Sequence, residues 1–375
     1  MRKELIVTAL VSLAILAVYY SAEENKTSAF DEWKAQYGAN WSGEEEAFRR
    51  LIFEKNLKNI EKHNADPSQT YKMGVNQFTV YTTEEFVNTY LNPMIAQSKV
   101  PEYTEEDIET VNTIGDVDWT TQGKVSKIKN QGQCGSCWAF SATGVMESWA
   151  LFKGQNVDLS EQQLVDCSRP QGNQGCNGGW PSSALKYVIA NGIASGSEYP
   201  YVGKDQTCKK NGGSFKIGGQ TSFASCNGLS SGINSHPISV TVDASNWSTY
   251  RSGVFTNCRT GINHAVLLVG VVGGNWKIKN SWGAGWGESG FIRLGPGNTC
   301  GVCSNAGIYP QWSSNPYHPI QSLTSLTLSS TISLTISYIS TSFRSVSSHT
   351  FNPSHHSSYL HLSYYTIFCL VLNTR

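Results

Sequence analysis

Nine of the ten cysteines in this chain lie between Val117 and Pro310, so that region has to pair them, bind a metal through them or keep them as thiols. The start of the chain indicates which use applies. Arg2 and Lys3 precede an apolar run from Leu5 to Val18, and small residues follow that run. This order predicts a secretory signal over residues 1–22. Secreted proteins fold under oxidising conditions, so disulfides are the expected use of most of these cysteines.

The apolar run has two alternative interpretations, a signal anchor and a buried helix. It is shorter than the ~20 residues that span a bilayer, so no membrane anchor is expected. Triplets with the pattern of N-glycosylation acceptors begin at Asn25, Asn40 and Asn246. The chain is therefore expected to be a glycoprotein of the secretory route, delivered to a lysosome, a vacuole or the extracellular space.

Composition argues against some function classes. The 28 basic residues balance 28 acidic ones, which argues against a nucleic-acid-binding protein with a strongly basic surface. The 11 Trp, 17 Tyr and 14 Phe are more than a disordered chain carries. The length of 375 residues suggests about two or three folded units.

The pattern along the chain divides it into four parts. Within residues 28–64, a set of side chains spaced three and four positions apart lies on one helix face, which predicts a helix: Glu45, Arg49, Phe53, Asn56, Ile60 and Asn64. Residues 97–112 are acidic and without periodicity, as in an exposed segment that proteases cut. From Val117 to Pro310, a helix over Cys137–Lys153 precedes a second half of alternating, strand-like stretches. Residues 311–375 are low in complexity, and no role is assigned to them.

Three separated strings carry reactive side chains: Gln131-Gly-Gln-Cys134-Gly-Ser-Cys137-Trp, then His264, then Asn280-Ser-Trp282-Gly. A thiol becomes a strong nucleophile when a nearby imidazolium or a helix N-terminus lowers its pKa. Cys137 stands where its helix is expected to begin, and His264 would complete an ion pair with it. Asn280 offers a carboxamide that can hold the imidazole in one tautomer.

Together these strings resemble the papain-family cysteine endopeptidases of the cathepsin L type. The Cys-Gly-Ser-Cys-Trp pattern, followed far downstream by His and Asn, is a signature of that family. The resemblance covers residues 28–310 and includes the family's first propeptide motif, here Glu45, Arg49, Ile52, Phe53, Asn56, Ile60 and Asn64. The second propeptide motif is present as Gly74, Asn76 and Phe78, but Val80 stands where the family usually has Asp.

The resemblance implies an α+β, papain-like fold of two lobes with a helical N-terminal propeptide. One lobe is helical and is led by the Cys137 helix, and the other is an antiparallel β-barrel-like lobe that carries His264 and Asn280. The implied parts are an inhibitory propeptide at 23–112 and a peptidase domain at 113–310. The implied function is a thiol endopeptidase that is made as an inactive zymogen.

The resemblance also assigns roles to individual residues. Cys137 is the nucleophile, His264 is the acid and base, and Asn280 orients His264. The side chain of Gln131 and the backbone N–H of Cys137 are the donors of the oxyanion hole. Trp282 covers the hydrogen bond between His264 and Asn280 from water, which strengthens that bond. No cofactor and no metal is implied.

A substrate cleft is implied as well. Gly178 and Gly179 form the wall along which an extended peptide pairs with the backbone. The pocket for the substrate residue two before the cut is lined by Trp180, Pro181, Thr241, Ala265 and Asn305. A hydrophobic or aromatic side chain is expected in that pocket. The stretch between Cys167 and Cys176 has no room for the occluding loop of the family's carboxydipeptidases, which favours endopeptidase action.

The family pattern implies three disulfides, Cys134–Cys176, Cys167–Cys208 and Cys258–Cys300. Cys226 and Cys303 are additional, and they either pair with each other or are both free. Cysteine spacing alone does not choose among these pairings. The expected partners are polypeptide substrates and the chain's own propeptide, and the enzyme is expected to be a monomer.

Three other interpretations compete with the protease. Cys134-x2-Cys137 has the form of a thioredoxin-like redox pair, and together with Cys300-x2-Cys303 it has the spacing of a zinc site. The downstream His and Asn strings do not fit a redox protein, and disulfides are commoner than zinc in an oxidising compartment. The third interpretation is an inert papain-like binding or storage protein, which usually lacks Cys137 or His264, and both are present here.

Overall fold

The structure, a computed structural model, describes residues 28–97 and 115–311. Two helices, α1 (Ala29–Tyr37) and α2 (Gly43–Ala65), occupy the region that the sequence predicts to be helical. They are separate because Gly38 ends α1 in the left-handed conformation, with φ of 64°. The predicted signal peptide, nearly all of the acidic segment and all but the first residue of the predicted tail lie outside the described residues.

Residues 28–97 are called the N-terminal segment below. After its two long helices it contains β1 (Tyr71–Met73), α3 (Thr83–Tyr90) and α4 (Pro93–Ala96). Thr82 and Glu85 form a capping box at the start of α3, in which each side chain accepts a hydrogen bond from the other residue's backbone N–H. This box fixes the point at which the chain turns into α3.

A helical lobe follows, with α5 (Cys137–Phe152), α6 (Glu161–Cys167) and α7 (Pro181–Asn191). The sequence predicts a buried helix over Cys137–Lys153, and α5 is buried from Cys137 to Ala150. Gly154 follows α5 with φ of 74°, the conformation expected of a glycine that ends a helix. The apolar side chains of the three helices share one hydrophobic core, which also receives Ala265 and Leu267 from the second lobe.

The second lobe is built on a sheet. Its strands are β2 (Val117–Asp118), β3 (Gly219–Phe223), β4 (Ile238–Val242), β5 (Tyr250–Phe255), β6 (His264–Val272), β7 (Asn275–Lys279), β8 (Phe291–Leu294) and β9 (Gly307–Gln311), with α8 (Ser225–Ile233) between β3 and β4. With β1, the described strands form the order β1-β5-β8-β7-β6-β4-β9-β3, and β2 pairs with β6.

The sheet is mixed rather than purely antiparallel. Among the described strands, β5 and β8 pair in parallel, and the other pairs are antiparallel. β6, β7 and β8 form a meander, so β6 and β8 run in the same direction. β5 runs in the same direction as β6 and β8. The connection from β5 to β6 passes over β8 and β7, which lie between these two strands in the sheet. The expected β-rich lobe is therefore present, and its topology is more complex than local alternation indicates.

The N-terminal segment joins this sheet directly. β1 pairs antiparallel with β5, and Tyr71 lies opposite Gly253. Gly253 has φ of 96°, and a Cβ at that position would come within 2.6 Å of the carbonyl oxygen of Thr70. Glycine is required there because a side chain would push β1 away from the edge strand.

Four disulfides tie the described chain together: Cys134–Cys176, Cys167–Cys208, Cys226–Cys303 and Cys258–Cys300. They include the three pairs that the resemblance implies. Cys226 and Cys303, whose state the sequence leaves open, are bonded to each other and connect the start of α8 to the loop before β9. Within the described ranges, no helix has the length and apolar character needed to cross a membrane.

Candidate active site

Cys137 is the first residue of α5 and carries the one free thiol among the described residues. The loop before it is held by the Cys134–Cys176 disulfide, so the start of the helix has a fixed position. The Sγ of Cys137 accepts a hydrogen bond from the backbone N–H of Ala265, with a distance of 3.4 Å. Ala265 follows His264 on β6, so the thiol and the imidazole come from segments that meet at this point.

The hydrogen bonds of Asn280 determine the tautomer of His264. The Oδ1 atom of Asn280 accepts the backbone N–H of Ser281 at 2.8 Å, which identifies that atom as the oxygen. His264 Nε2 lies 2.8 Å from the same oxygen, so Nε2 carries a proton and donates it. In neutral His264 the Nδ1 atom is then unprotonated, and it has no hydrogen-bond partner among the described residues. Nδ1 is therefore the nitrogen that can accept a proton from a thiol.

Burial controls the charge of both groups in this form of the protein. Cys137 and His264 are 0% exposed. Burial raises the pKa of the Cys137 thiol to about 11, against a smaller opposite effect of the Ala265 N–H. Burial also lowers the pKa of His264 to about 4, although the hydrogen bond to Asn280 acts in the other direction. The ion pair expected from the sequence is thus disfavoured while both groups are covered.

Trp282 lies over the imidazole, as the resemblance implies. The ring centroids of His264 and Trp282 are 4.8 Å apart, with an angle of 31° between the planes, and Trp282 is buried. On its other side, Trp282 contacts Phe78 and Phe86 of the N-terminal segment edge to face, at 5.3 Å each. The N-terminal segment therefore contributes to excluding water from this part of the site.

The side-chain N–H groups of Gln131 are both occupied. Nε2 donates to the carbonyl oxygen of Cys134 at 2.9 Å and to that of Tyr90 at 3.0 Å. The Oε1 atom accepts the hydroxyl of Ser281 at 2.8 Å, which fixes the orientation of the carboxamide. A backbone carbonyl of the N-terminal segment thus occupies the donor that the resemblance assigns to an oxyanion.

Asn92 of the N-terminal segment spans the groove between the lobes. Its backbone N–H donates to the carbonyl oxygen of Asn263 on one wall, and its Nδ2 donates to that of Gly179 on the other, both at 2.7 Å. At Gly178 a Cβ would collide with the Oδ1 of Asn92, and at Gly179 it would come within 2.7 Å of the ring of Trp138. The absence of a side chain at Gly178 therefore permits the close approach of Asn92, whereas at Gly179 it permits the packing of the Trp138 indole.

The structure places the five residues expected in the substrate pocket at two neighbouring cavities. Trp180, Pro181, Thr241 and Asn305 line one cavity, together with Ile308. Ala265 is the cross-strand partner of Thr241 and lines a second cavity together with Asn280 and Ser281. Ala265 contributes its backbone N–H to the thiol, so its place is beside the nucleophile.

Sequence reasoning missed Tyr90, Asn92 and Ser141, the last of which bridges the two lobes. Asn92 precedes a proline, and an Asn-Pro pair signals a turn, but nothing in that signal places the turn in a cleft. Tyr90 accepts the hydrogen bond from Gln131 through its backbone carbonyl oxygen. Every residue has this group, so the residue type gives no signal. Within the described ranges, no group of three His, Cys, Asp or Glu side chains is arranged to hold a metal ion.

Comparisons with known proteins agree with this arrangement. Residues 114–310 match the family model described as "Papain family cysteine protease", and residues 30–86 match "Cathepsin propeptide inhibitor domain (I29)". Cathepsin L 2 of Paramecium tetraurelia is 42% identical over 298 residues, covering 76% of this chain and 92% of the relative. Cathepsin L2 of Homo sapiens is 38% identical over 334 residues, covering 81% of this chain and 98% of the relative. The solved structure of procathepsin L 3 from the larval midgut of Tenebrio molitor aligns with a TM-score of 0.66 at 35% identity, covering 76% of this chain and 100% of that one.

Proposed function

Because the chain belongs to the papain family of cysteine proteases and carries a cathepsin propeptide, we propose that it is the precursor of an endopeptidase in which Cys137 attacks the substrate carbonyl. The protein is a cysteine protease made as a zymogen. We assign the propeptide to residues 23–112 and the peptidase domain to 113–310. The observation that carries the assignment of the nucleophile is the tautomer of His264, whose Nδ1 is left free to take the thiol proton.

Each of these groups has one part in the proposed mechanism. Nδ1 of His264 takes the proton of Cys137, and the thiolate adds to the peptide carbonyl. The Nε2 of Gln131 and the backbone N–H of Cys137 stabilise the resulting oxyanion. Protonated His264 then gives its proton to the leaving amine, which leaves a thioester on Cys137. Water activated by neutral His264 hydrolyses the thioester and restores the thiol.

An extended polypeptide is the substrate that this cleft favours. Its backbone would pair with the Gly178–Gly179 wall, where Asn92 now donates to the Gly179 carbonyl. Its side chain two residues before the cut would enter the cavity of Trp180, Pro181, Thr241 and Asn305. The indole and the proline favour an apolar or aromatic side chain there. We further propose that the enzyme acts as a monomer on the lysosomal, vacuolar or extracellular route.

Labelling with a small thiol-directed epoxide tests the proposed function. In the processed protein, the epoxide is expected to modify Cys137 and no other described cysteine, because the other eight are in disulfides. His264→Ala serves as the control, since it keeps the thiol but removes the base. Equal labelling of both proteins, with no hydrolysis of peptides by either, would favour the inert binding protein instead.

Inhibition in the zymogen depends strongly on Asn92. Asn92→Ala removes the hydrogen bond to Gly179 and leaves that buried carbonyl without its partner. We expect the epoxide to label Cys137 in the unprocessed precursor about 10- to 100-fold faster than in the unaltered precursor at neutral pH. The matched control is Asn64→Ala, because Asn64 bonds to Met73 within the N-terminal segment and touches no part of the cleft. Identical labelling rates for the two variants would contradict a specific role for Asn92.

Acid weakens the N-terminal segment through Glu85. Burial alone would raise the pKa of this carboxyl, but hydrogen bonds from the Thr82 backbone and from Arg49 outweigh it and hold the pKa below the ordinary value of 4.5. A carboxyl with a lowered folded pKa stabilises the fold fully above its ordinary value, and this stabilisation is lost as the pH falls through the lowered value. Glu85 therefore makes the propeptide less stable below about pH 4.5.

Glu85→Gln should flatten this acid response. The glutamine keeps an oxygen for the Thr82 N–H but has no charge to lose, so the precursor should be less stable at neutral pH and change less between pH 5 and 3. Autoprocessing rates measured across that range, with dye-detected unfolding in parallel, provide the test. Glu84→Gln, in the same turn of α3, is the control. A variant that keeps the acid dependence of the unaltered precursor would refute the role of Glu85.

A further inference from the structure

Catalysis requires a fixed distance between Cys137 and His264, which belong to different lobes. The side chain of Ser141 bridges these lobes close to both residues. Ser141 lies one helical turn after Cys137 on α5, and its hydroxyl donates to the backbone carbonyl of Val266 at 2.7 Å. Val266 is two residues after His264 on β6. This hydrogen bond connects the nucleophile helix to the histidine strand, as does the bond from the Ala265 N–H to the Cys137 Sγ.

The Ser141 hydroxyl also contacts Ser239 on β4, with a distance of 2.6 Å between the two oxygens. A hydroxyl can donate one hydrogen bond, and the Ser141 hydroxyl donates its bond to the carbonyl oxygen of Val266. Ser239 is therefore the donor in the second bond. Both serines are buried, so water does not compete for these bonds. A serine inside a helix usually bonds to its own helix or to solvent, whereas this one bonds to the other lobe.

A small cavity of about 20 Å³ interrupts the packing between the lobes beside Ser141. It is lined by Phe140, Gly144, Ala265 and Val266 and also by the charged residues Lys129, Glu147 and Lys279. Side chains next to a cavity lose part of their packing contacts. The hydrogen bonds of Ser141 therefore add a specific connection between the lobes next to the reacting atoms, one that does not involve the thiol itself.

We propose that Ser141, assisted by Ser239, is a positioning residue that holds the Cys137 helix against the His264 strand, so that the thiol and the imidazole stay aligned for proton transfer. This inference rests on the proposed function of Cys137 and His264. Without the hydroxyl, the thiolate forms less readily, because its stabilisation depends on the distance to the imidazolium. Substrate binding depends on the cleft walls, so it is expected to change little.

The test compares processed Ser141→Ala with processed Ser148→Ala. Ser148 lies on the same helix, is equally buried and has no hydrogen-bond partner for its hydroxyl among the described residues. For Ser141→Ala we expect kcat to fall about tenfold, because small misplacements of reacting groups have large effects on rate. The KM should stay within about twofold of the unaltered value. At each pH between 5 and 7, iodoacetamide should alkylate Cys137 about tenfold more slowly in Ser141→Ala than in the unaltered enzyme. The reason is that the alkylation rate follows the fraction of Cys137 present as thiolate.

Each outcome has a defined meaning. Alkylation profiles that coincide for the Ser141 and Ser148 variants would overturn the inference, even if both variants are less stable than the unaltered enzyme. An unaltered processed enzyme that is not alkylated below pH 7 would instead overturn the proposed function. If Ser141→Ala does not fold, Ser239→Ala replaces it, because it removes only the outer bond; an unchanged alkylation profile in that variant would equally count against the proposal.

Discussion

Replacing Cys137 by alanine is expected to abolish peptide hydrolysis, with a loss of about 10⁴-fold or more in kcat/KM. Alanine removes the atom that forms the thioester, and no other free thiol lies among the described residues. The variant also cannot process itself. A glutamate-specific serine protease can cut the acidic segment at 97–112 instead and can then be inactivated, which leaves a processed variant for a fluorogenic peptide assay.

The fold of this variant should be intact, because an alanine at the start of α5 is a good helix former and the Cys134–Cys176 disulfide remains. The unaltered precursor, cut in the same way, provides the reference activity. Hydrolysis within about tenfold of that reference would assign the chemistry to another residue. An unprocessed precursor that matures normally despite the substitution would do the same.

The second large effect is expected at Gln131. Gln131→Ala removes one of two oxyanion donors and should lower kcat by about 10²- to 10³-fold, with a smaller change in KM, because the donor acts on charge that develops in the transition state. In the zymogen the same Nε2 binds the Tyr90 carbonyl. The variant precursor should therefore also hold its N-terminal segment less tightly. Steady-state kinetics of the processed enzyme give the first quantity, and epoxide labelling of the precursor gives the second.

Gln133→Ala is the matched control for Gln131→Ala. Gln133 is two residues away, is exposed, and donates to the hydroxyl of Tyr81 rather than to a backbone carbonyl in the cleft. We expect its processed form to hydrolyse peptides at the normal rate. If both substitutions lower kcat equally, the loss comes from a disturbed loop before α5 and not from a missing oxyanion donor.

The candidate catalytic residues could be proposed from the sequence because each belongs to a local string with a chemical meaning. A cysteine at the expected start of a buried helix, and a carboxamide beside a tryptophan, are visible in the sequence. The residues that close the site were not visible in this way. Tyr90 and Asn92 act through hydrogen bonds to Gln131, Gly179 and Asn263, which are at least 41 residues away along the chain. Long-range pairing of this kind leaves no periodic signal near the residues that it positions.

Val80 shows how the structure explains a departure from a family pattern. Members of the family usually have Asp at this position. In the structure Val80 is 1% exposed and packs in a cluster with Phe30, Trp33 and Phe53. Arg49 donates to the backbone carbonyl of Val80 and forms an ion pair with Glu85. The apolar side chain thus belongs to the core of the N-terminal segment, and Glu85 supplies a carboxylate to Arg49.

The pairing of β1 with β5 has a consequence for the mature enzyme. Once the propeptide has left, the backbone donors and acceptors of β5 that faced β1 have no strand beside them, and such an edge can recruit a strand from another molecule. Arg251 places a charge on that edge, and the left-handed backbone of Gly253 interrupts its regular geometry. Both features discourage self-association. Activation therefore exposes β5 as an edge strand whose charge and irregular backbone oppose aggregation.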